Sequence, residues 1–145
     1  MEKITLKDKT FKKQISYEKI SAAIDEVANK INTDFEGCTD VPVLLCVLNG
    51  SIMFMGELMK RLKFDVNVIS IKLTSYEGTS STGRVRQAMG LTSSIEGKRV
   101  IVVEDIVDSG NTIVELKEIL KEKGAVESKI CTLLLKPDAY KKDVK

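Results

Sequence analysis

The sequence VIVVEDIVDSGNTI, residues 100–113, contains the features that decide the fold. Its first four residues are apolar and β-branched, which predicts a strand buried on both faces. Three carboxylates, Glu104, Asp105 and Asp108, follow within five residues. Small polar residues come next, and then apolar residues with helical spacing. A buried strand, a polar loop and a helix in this order indicate one βα unit of a parallel sheet.

The same alternation of strand and helix runs through the rest of the chain. The predicted strands cover residues 41–48, 64–76, 100–103 and 128–135, and the predicted helices cover residues 16–35, 50–62 and 111–123. Ser16 is the expected N-cap of the first helix, and Gly124 is expected just after the last. Residues 84–92 alternate and are typical of one arm of a hairpin. We therefore predict a doubly wound α/β fold with a mostly parallel sheet, in one domain spanning residues 1–145.

Composition and charge exclude several classes of protein. Hydrophobic residues make up 43% of the 145 and charged residues 30%, as in globular proteins. The net charge of +2, without a long basic block, gives no reason to expect nucleic acid or an anionic membrane as a partner. No apolar run is long enough to span a bilayer, so we expect a cytoplasmic protein.

The residue types also limit the chemistry. The chain contains no histidine, so a general base must be a carboxylate, lysine, tyrosine or cysteine. A zinc site would lack its usual ligands. Of the three cysteines, Cys46 and Cys131 lie in apolar runs and are expected to be buried thiols.

Ligands in a doubly wound fold bind beyond the carboxyl ends of the strands, where the acidic cluster is expected. Backbone N–H groups of residues 109–112 would enter a helix N-terminus, which favours an anion, above all phosphate. Glu104 and Asp105 would hold Mg²⁺ or accept hydrogen bonds from vicinal sugar hydroxyls. Asp108 lies between the two elements, where a base would be useful. The alternative is a tight turn with a capping Ser109 or Asn111 and solvated acids, but three close carboxylates favour a phosphosugar or nucleotide site.

Four segments of the chain resemble motifs of one enzyme family, in that family's order. VVEDIVDSGNT resembles the phosphoribosyl pyrophosphate signature of the type I phosphoribosyltransferases. VLNGSIMFMGELM resembles the pyrophosphate loop and its helix in the hypoxanthine-guanine branch, and LTSYEGTSSTGRV resembles the mobile lid. LLLK, ending at Lys136, resembles the strand end with the purine-contacting lysine. The chain is therefore similar to hypoxanthine-guanine phosphoribosyltransferases over nearly its whole length.

The resemblance implies an activity in purine salvage. A 5-phosphoribosyl group would pass from phosphoribosyl pyrophosphate to hypoxanthine or guanine, giving IMP or GMP and pyrophosphate, with Mg²⁺ as cofactor. It also implies a type I phosphoribosyltransferase fold with a mobile lid or hairpin, and a homodimer or homotetramer.

The resemblance also assigns roles to individual residues. Glu104 and Asp105 would bind the ribose hydroxyls and Mg²⁺, and Asp108 would be the catalytic base that handles the purine N7 proton. The other implied contacts are Ser109, Gly110, Asn111 and Thr112 for the 5′-phosphate, Asn49 and Gly50 for pyrophosphate, Ser75 and Tyr76 for the lid, and Lys136 with Ile106 or Val107 for the purine. A cis peptide bond is implied between Leu48 and Asn49.

Two departures from the family pattern leave an alternative open. Asn49 stands where the family often has a basic residue, and the sequence ends at KPDAYKKDVK without the family's usual purine-clamp segment. We therefore expect a C-terminally truncated chain of uncertain activity. A non-catalytic regulatory module that binds phosphoribosyl pyrophosphate is the alternative, although Asp108, the Ser75–Tyr76 pair and Lys136 favour the enzyme. A response-regulator-like receiver ranks last, because its acidic pair belongs on the first strand.

Overall fold

The computed structural model describes residues 3–75, 85–140 and 142. Among them a five-stranded sheet has the order β5-β4-β3-β6-β7. Its strands are β3 (Val43–Leu48), β4 (Asn67–Ser75), β5 (Val85–Met89), β6 (Arg99–Val107) and β7 (Glu127–Leu135). β4, β3, β6 and β7 are parallel, and β5 pairs antiparallel with β4 at the edge. The predicted mostly parallel sheet is confirmed, including the antiparallel arm near residue 85.

Helices cover both faces of this sheet. They are α1 (Tyr17–Asp34), α2 (Ile52–Met59) and α3 (Asn111–Glu122). One apolar core joins α1 and α2 to alternate residues of the central strands, such as Leu44 and Val103. A second core joins α3 to the residues between them, such as Leu45 and Val102. Each central strand is therefore buried on both faces, which is why it has no polar alternation, and the doubly wound class is confirmed.

The ends of two helices have the predicted signals. Ser16 caps α1, since its Oγ accepts a hydrogen bond from the N–H of Lys19 at 3.3 Å. Gly124, with φ of +84°, follows the end of α3 in the left-handed conformation that glycine tolerates.

Cys46 and Cys131 are buried, as expected.

Two features of the fold differ from the prediction. An antiparallel hairpin of β1 (Lys3–Leu6) and β2 (Lys9–Lys12) precedes α1 and was not predicted. Strand β6 does not end at Val103 but continues to Val107, so Glu104 and Asp105 lie within it. The reason is that β7 keeps pairing with β6 as far as Val107 and Leu135.

None of the helices in the described ranges is long and apolar enough to cross a membrane.

Candidate active site

A crevice opens between the two central strands at their carboxyl ends. From β3 the chain continues to β4 on one side, and from β6 it continues to β7 on the other. The pairing of β3 with β6 runs from Val43–Val100 to Cys46–Val103, and beyond that point β6 pairs with β7. Such a switch point is where open α/β sheets bind ligands. Glu104 and Asp105 are the first residues of β6 past this divergence.

A cavity of about 210 Å³ lies at the end of β6. It brings together five of the eleven residues predicted to bind phosphoribosyl pyrophosphate, from the acidic strand end to the first turn of α3. The lining residues are Glu104, Ile106, Val107, Asp108, Ser109, Gly110, Thr112 and Ile113. A short loop and one strand end therefore supply carboxylates, hydroxyls and a helix N-terminus to one space.

The segment of residues 109–112, here called the anion loop, enters α3 without a side-chain cap. Gly110 is the N-cap residue, with φ of +85° and no capping side chain. Of the two capping residues in the alternative interpretation, Ser109 makes only a long contact, in which its Oγ accepts from the N–H of Asn111 at 3.5 Å. The carbonyl of Gly110 accepts from the N–H of Val114 at 3.1 Å, which starts the helix. The uncapped first turn leaves backbone donors and the positive dipole end of a twelve-residue helix toward the cavity.

Glu104 is buried in this site, with 8% of its surface exposed. Burial, and secondly the neighbouring Asp105 carboxyl group, raise the pKa of Glu104 to about 7. Its Oε1 accepts a hydrogen bond from the N–H of Asp105 at 3.1 Å. A cation or hydroxyl donors in the crevice would stabilise these two adjacent carboxyl groups in their charged form near neutral pH.

Asp105 faces the loop after β3 and does not line the cavity. A Cβ atom on Gly50 would lie 2.0 Å from Oδ2 of Asp105, so the Gly50 backbone packs directly against this carboxylate. The peptide bond between Leu48 and Asn49 is cis, as the resemblance implied. The predicted pyrophosphate loop and the acidic pair are thereby adjacent.

Ser51 is a structural residue of this loop that the sequence analysis missed. It is fully buried, and its Oγ donates to the carbonyl of Val47 at 2.7 Å and contacts Sγ of Cys46 at 3.2 Å. These two contacts of the Ser51 hydroxyl stabilise the turn against the end of β3. A serine directly after Asn49 and Gly50 was the available signal.

Lys136 joins the site from the end of β7. Its backbone N–H donates to the carbonyl of Val107 at 3.0 Å, which continues the β6–β7 ladder by one step. Its Nζ donates to Oδ2 of Asp108 at 2.8 Å. The predicted purine lysine and the predicted base are therefore in contact across neighbouring strands.

Most of the predicted lid lies outside the described residues. Ser75 is the last residue of β4, and Tyr76 lies outside the described residues with the stretch up to residue 84. Asn49 is exposed beside Gly50 and does not line the cavity.

A larger cavity of about 500 Å³ lies at the opposite edge of the sheet. It is lined by residues that precede β3 and β4, including Phe35 and Phe64, whose stacked rings are 5.1 Å apart. Amino ends of parallel strands are not the usual ligand edge. The smaller cavity, with the acids and the helix N-terminus, is the better candidate site.

Comparison with known proteins agrees with this geometry. The phosphoribosyl transferase domain model matches residues 13–145. The chain belongs to the phosphoribosyltransferase family.

Relatives place this phosphoribosyltransferase in the hypoxanthine-guanine branch. A hypoxanthine-guanine phosphoribosyltransferase of Streptococcus pneumoniae (strain ATCC BAA-255 / R6) is 35% identical over 125 residues, which are 86% of this chain and 68% of that protein. A hypoxanthine-guanine-xanthine phosphoribosyltransferase of Tritrichomonas foetus is 38% identical over 114 residues, which are 79% of this chain and 61% of that protein.

Solved structures of phosphoribosyltransferases have the same fold. A hypoxanthine-guanine phosphoribosyltransferase from Bacillus anthracis, with a HEPES molecule in its active site, aligns with a TM-score of 0.85 at 38% identity over 93% of this chain and 79% of that one. A hypoxanthine phosphoribosyltransferase from Trypanosoma cruzi, in complex with the product IMP, aligns with a TM-score of 0.79 at 33% identity over 88% and 72%. The predicted family, fold and transferase class are confirmed, and these relatives give the regulatory alternative no support.

Proposed function

We propose that this chain transfers a 5-phosphoribosyl group from phosphoribosyl pyrophosphate to hypoxanthine and to guanine, giving IMP or GMP and pyrophosphate. The observation that carries the proposal is the cavity at the end of β6, where Glu104, Asp108 and the anion loop meet. A sugar phosphate needs these groups together: hydrogen-bond acceptors for its hydroxyls and an uncapped helix N-terminus for its phosphate.

In this proposal the reacting carbon lies between charges that the chain supplies. The bond from C1 of the ribose to pyrophosphate breaks as the bond to the purine nitrogen forms, and positive charge develops on the sugar. Glu104 and Asp105 would accept hydrogen bonds from the ribose hydroxyls, and residues 109–112 would bind the 5′-phosphate. Asn49 and Gly50 would bind the pyrophosphate, mainly through the backbone. These contacts would fix the sugar in the crevice between β3 and β6.

Asp108 would act as the base for the purine, and Lys136 and Ile106 would hold the purine itself. Asp108 and Ile106 line the same cavity, and Lys136 is hydrogen-bonded to Asp108. A purine that binds there exchanges the Lys136–Asp108 contact for contacts of its own with both groups. Ser75 and Tyr76 would close over the sugar as the family's lid, which would exclude water from the reacting carbon.

The donor set at the end of β6 fits Mg²⁺. Glu104 and Asp105 are adjacent hard-oxygen ligands, and their mutual repulsion would be relieved by a divalent cation. Within the described ranges no group of three or more His, Cys, Asp or Glu residues could hold a metal ion, so the remaining ligands would come from substrate and water. The ion would neutralise the charge of the pyrophosphate when it is bound. A homodimer or homotetramer, a single domain and a cytoplasmic location stay predictions.

The test is turnover by the chain itself. The protein is incubated with phosphoribosyl pyrophosphate, Mg²⁺ and, separately, hypoxanthine, guanine or xanthine, and nucleotide and pyrophosphate are quantified. We expect IMP and GMP with equimolar pyrophosphate. A chain that binds phosphoribosyl pyrophosphate but forms no nucleotide with any base would contradict the proposed enzyme. That result would favour the regulatory module instead.

A further inference from the structure

The segment after β7 contacts the anion loop at Gly110, through residues to which the proposed function gives no role. A Cβ atom on Gly110 would lie 2.6 Å from Cε2 and 3.0 Å from Cδ2 of Tyr140, and 2.9 Å from Cγ of Lys142. Real Cβ atoms essentially never approach other heavy atoms within 3.0 Å. The tyrosine ring therefore packs on the bare α-carbon of Gly110, and only glycine leaves room for it.

This contact is anchored by a compact turn of residues 136–140, here called the β7 turn. The N–H of Lys136 donates to the carbonyl of Val107, and the N–H groups of Ala139 and Tyr140 donate to the carbonyl of Lys136, both at 3.1 Å. One end of the β7 turn thus carries the Lys136 ammonium to Asp108, and the other carries the Tyr140 ring to Gly110. The β7 turn therefore contacts the anion loop at Gly110 and the residue just before that loop, Asp108.

The ring supports the loop without forming the cavity wall. Gly110 is one of the residues that line the cavity, whereas Tyr140 is half-buried and does not line it. An aromatic ring against a left-handed N-cap residue limits the backbone positions that this residue can take. The N–H groups at the start of α3 gain a fixed direction from a residue that does not itself line the cavity.

We propose that Tyr140 is a positioning residue for phosphate binding: its ring holds the anion loop in the conformation that receives the 5′-phosphate. The inference rests on the proposed function, since it assigns that phosphate to residues 109–112. It adds that affinity for the phosphate depends on a side chain of the β7 turn.

The experiment measures binding to the 145-residue chain by calorimetry, with ribose 5-phosphate and with phosphoribosyl pyrophosphate plus Mg²⁺. Tyr140→Ala should raise both Kd values by about tenfold or more, since misplacement of a site by about 1 Å can cost on the order of 100-fold. Tyr140→Phe keeps Cδ2 and Cε2 and should restore affinity. Asp138→Asn changes an exposed residue of the same turn and should stay within about twofold of the parent.

Kinetics and a double-mutant cycle separate positioning from a structural or purine-contact role. Tyr140→Ala should raise KM for phosphoribosyl pyrophosphate and leave KM for hypoxanthine near the parent value. Gly110→Ala should weaken phosphate binding less in the Tyr140→Ala background than in the parent, because the clash with the ring is then absent. Tyr140→Leu, which also lacks the ring, replaces Tyr140→Ala if circular dichroism shows that the alanine variant does not fold.

The outcomes distinguish this inference from the proposed function. A parent chain that binds neither ligand contradicts the proposed function. A parent chain that binds both, with folded ring-less variants of equal affinity, contradicts only the role of Tyr140. A loss confined to KM for hypoxanthine would make Tyr140 a purine contact, which also overturns the inference.

Discussion

The Nζ atom of Lys136 lies 2.8 Å from Oδ2 of Asp108, although 28 positions separate the two residues in the sequence. They follow Val107 and Leu135, the last paired residues of β6 and β7. The side chains of Lys136 and Asp108 are 55% and 56% exposed, so the ion pair contributes at most about 1 kcal/mol to stability. The contact therefore adds little to the stability of the fold.

Lys136→Met should lower kcat/KM for hypoxanthine by roughly 10- to 100-fold, as expected for the loss of a charged hydrogen bond to the purine. The Kd for phosphoribosyl pyrophosphate and the melting temperature should change little. Lys129→Met is a matched control, because Lys129 makes an equally short bond, 2.8 Å, to Asp34 on the surface. Equal effects of the two substitutions on kcat/KM would contradict a purine contact at Lys136.

Asp108→Asn should keep the affinity for phosphoribosyl pyrophosphate and lower kcat by about 10²- to 10⁴-fold, the usual contribution of a positioned general base. The amide keeps the shape of the side chain but cannot take a proton. Single-turnover measurements with hypoxanthine separate this loss from product release. The control is Asp34→Asn, which removes the charge from the surface pair and should keep parent kcat. Full activity of Asp108→Asn would remove its role as base.

Replacing Glu104 and Asp105 together by their amides should weaken Mg²⁺-dependent binding of phosphoribosyl pyrophosphate by roughly tenfold or more, since each carboxylate would accept a charge-assisted hydrogen bond or bind the ion. Titrations with Mg²⁺ and with EDTA in the parent and the variant measure this. Unchanged affinity with unchanged Mg²⁺ dependence would make both acids mere turn residues.

The sequence predicts the class of this fold because its physical cause is local. Strands 43–48 and 99–103 are apolar at every position or nearly so, and only a sheet covered on both faces buries such strands. The β1–β2 hairpin could not be predicted in this way. Each of its strands has four residues, all exposed, so neither has the apolar pattern of a buried strand.

The length of β6 and the contacts of the β7 turn depend on tertiary structure. Glu104 and Asp105 lie in a strand because β7 continues beside them after β3 has diverged, and no local pattern specifies this. The anion loop and the acids were found from their residue types. The packing of Tyr140 on Gly110 was not, because it depends on how residues 136–140 turn after β7.

Cysteine reactivity should separate one exposed thiol from two buried ones. Burial raises the pKa of the Cys131 thiol to about 12, whereas Cys38 is exposed. At pH 8 a thiol-specific reagent should modify Cys38 quickly in the native chain, and all three cysteines in denaturant. Raising the pH to 10 should not expose Cys131 while the chain is folded. Because the pKa of Cys131 in the folded chain exceeds the ordinary thiol pKa of 9.0, the stability that the buried thiol contributes is complete below pH 9 and declines from there toward pH 12. Rapid native modification in Cys38→Ser would contradict the burial of the other two.

Gly50→Ala tests the contact between the loop after β3 and the acidic strand end. The added methyl group would lie 2.0 Å from Oδ2 and 2.6 Å from Cγ of Asp105, so the carboxylate or the loop must shift. We expect a loss of about 1–3 kcal/mol in the free energy of unfolding, typical of overpacking, together with weaker binding of phosphoribosyl pyrophosphate.

Gly56→Ala is the matched control, since Gly56 lies in α2 with nothing within 4 Å of its added methyl group. That variant should gain roughly 0.5–1 kcal/mol from helix propensity and keep parent affinity. Urea denaturation and calorimetry on both variants give the comparison. If Gly50→Ala binds phosphoribosyl pyrophosphate as tightly as Gly56→Ala does, the packing of this loop on Asp105 has no part in forming the site.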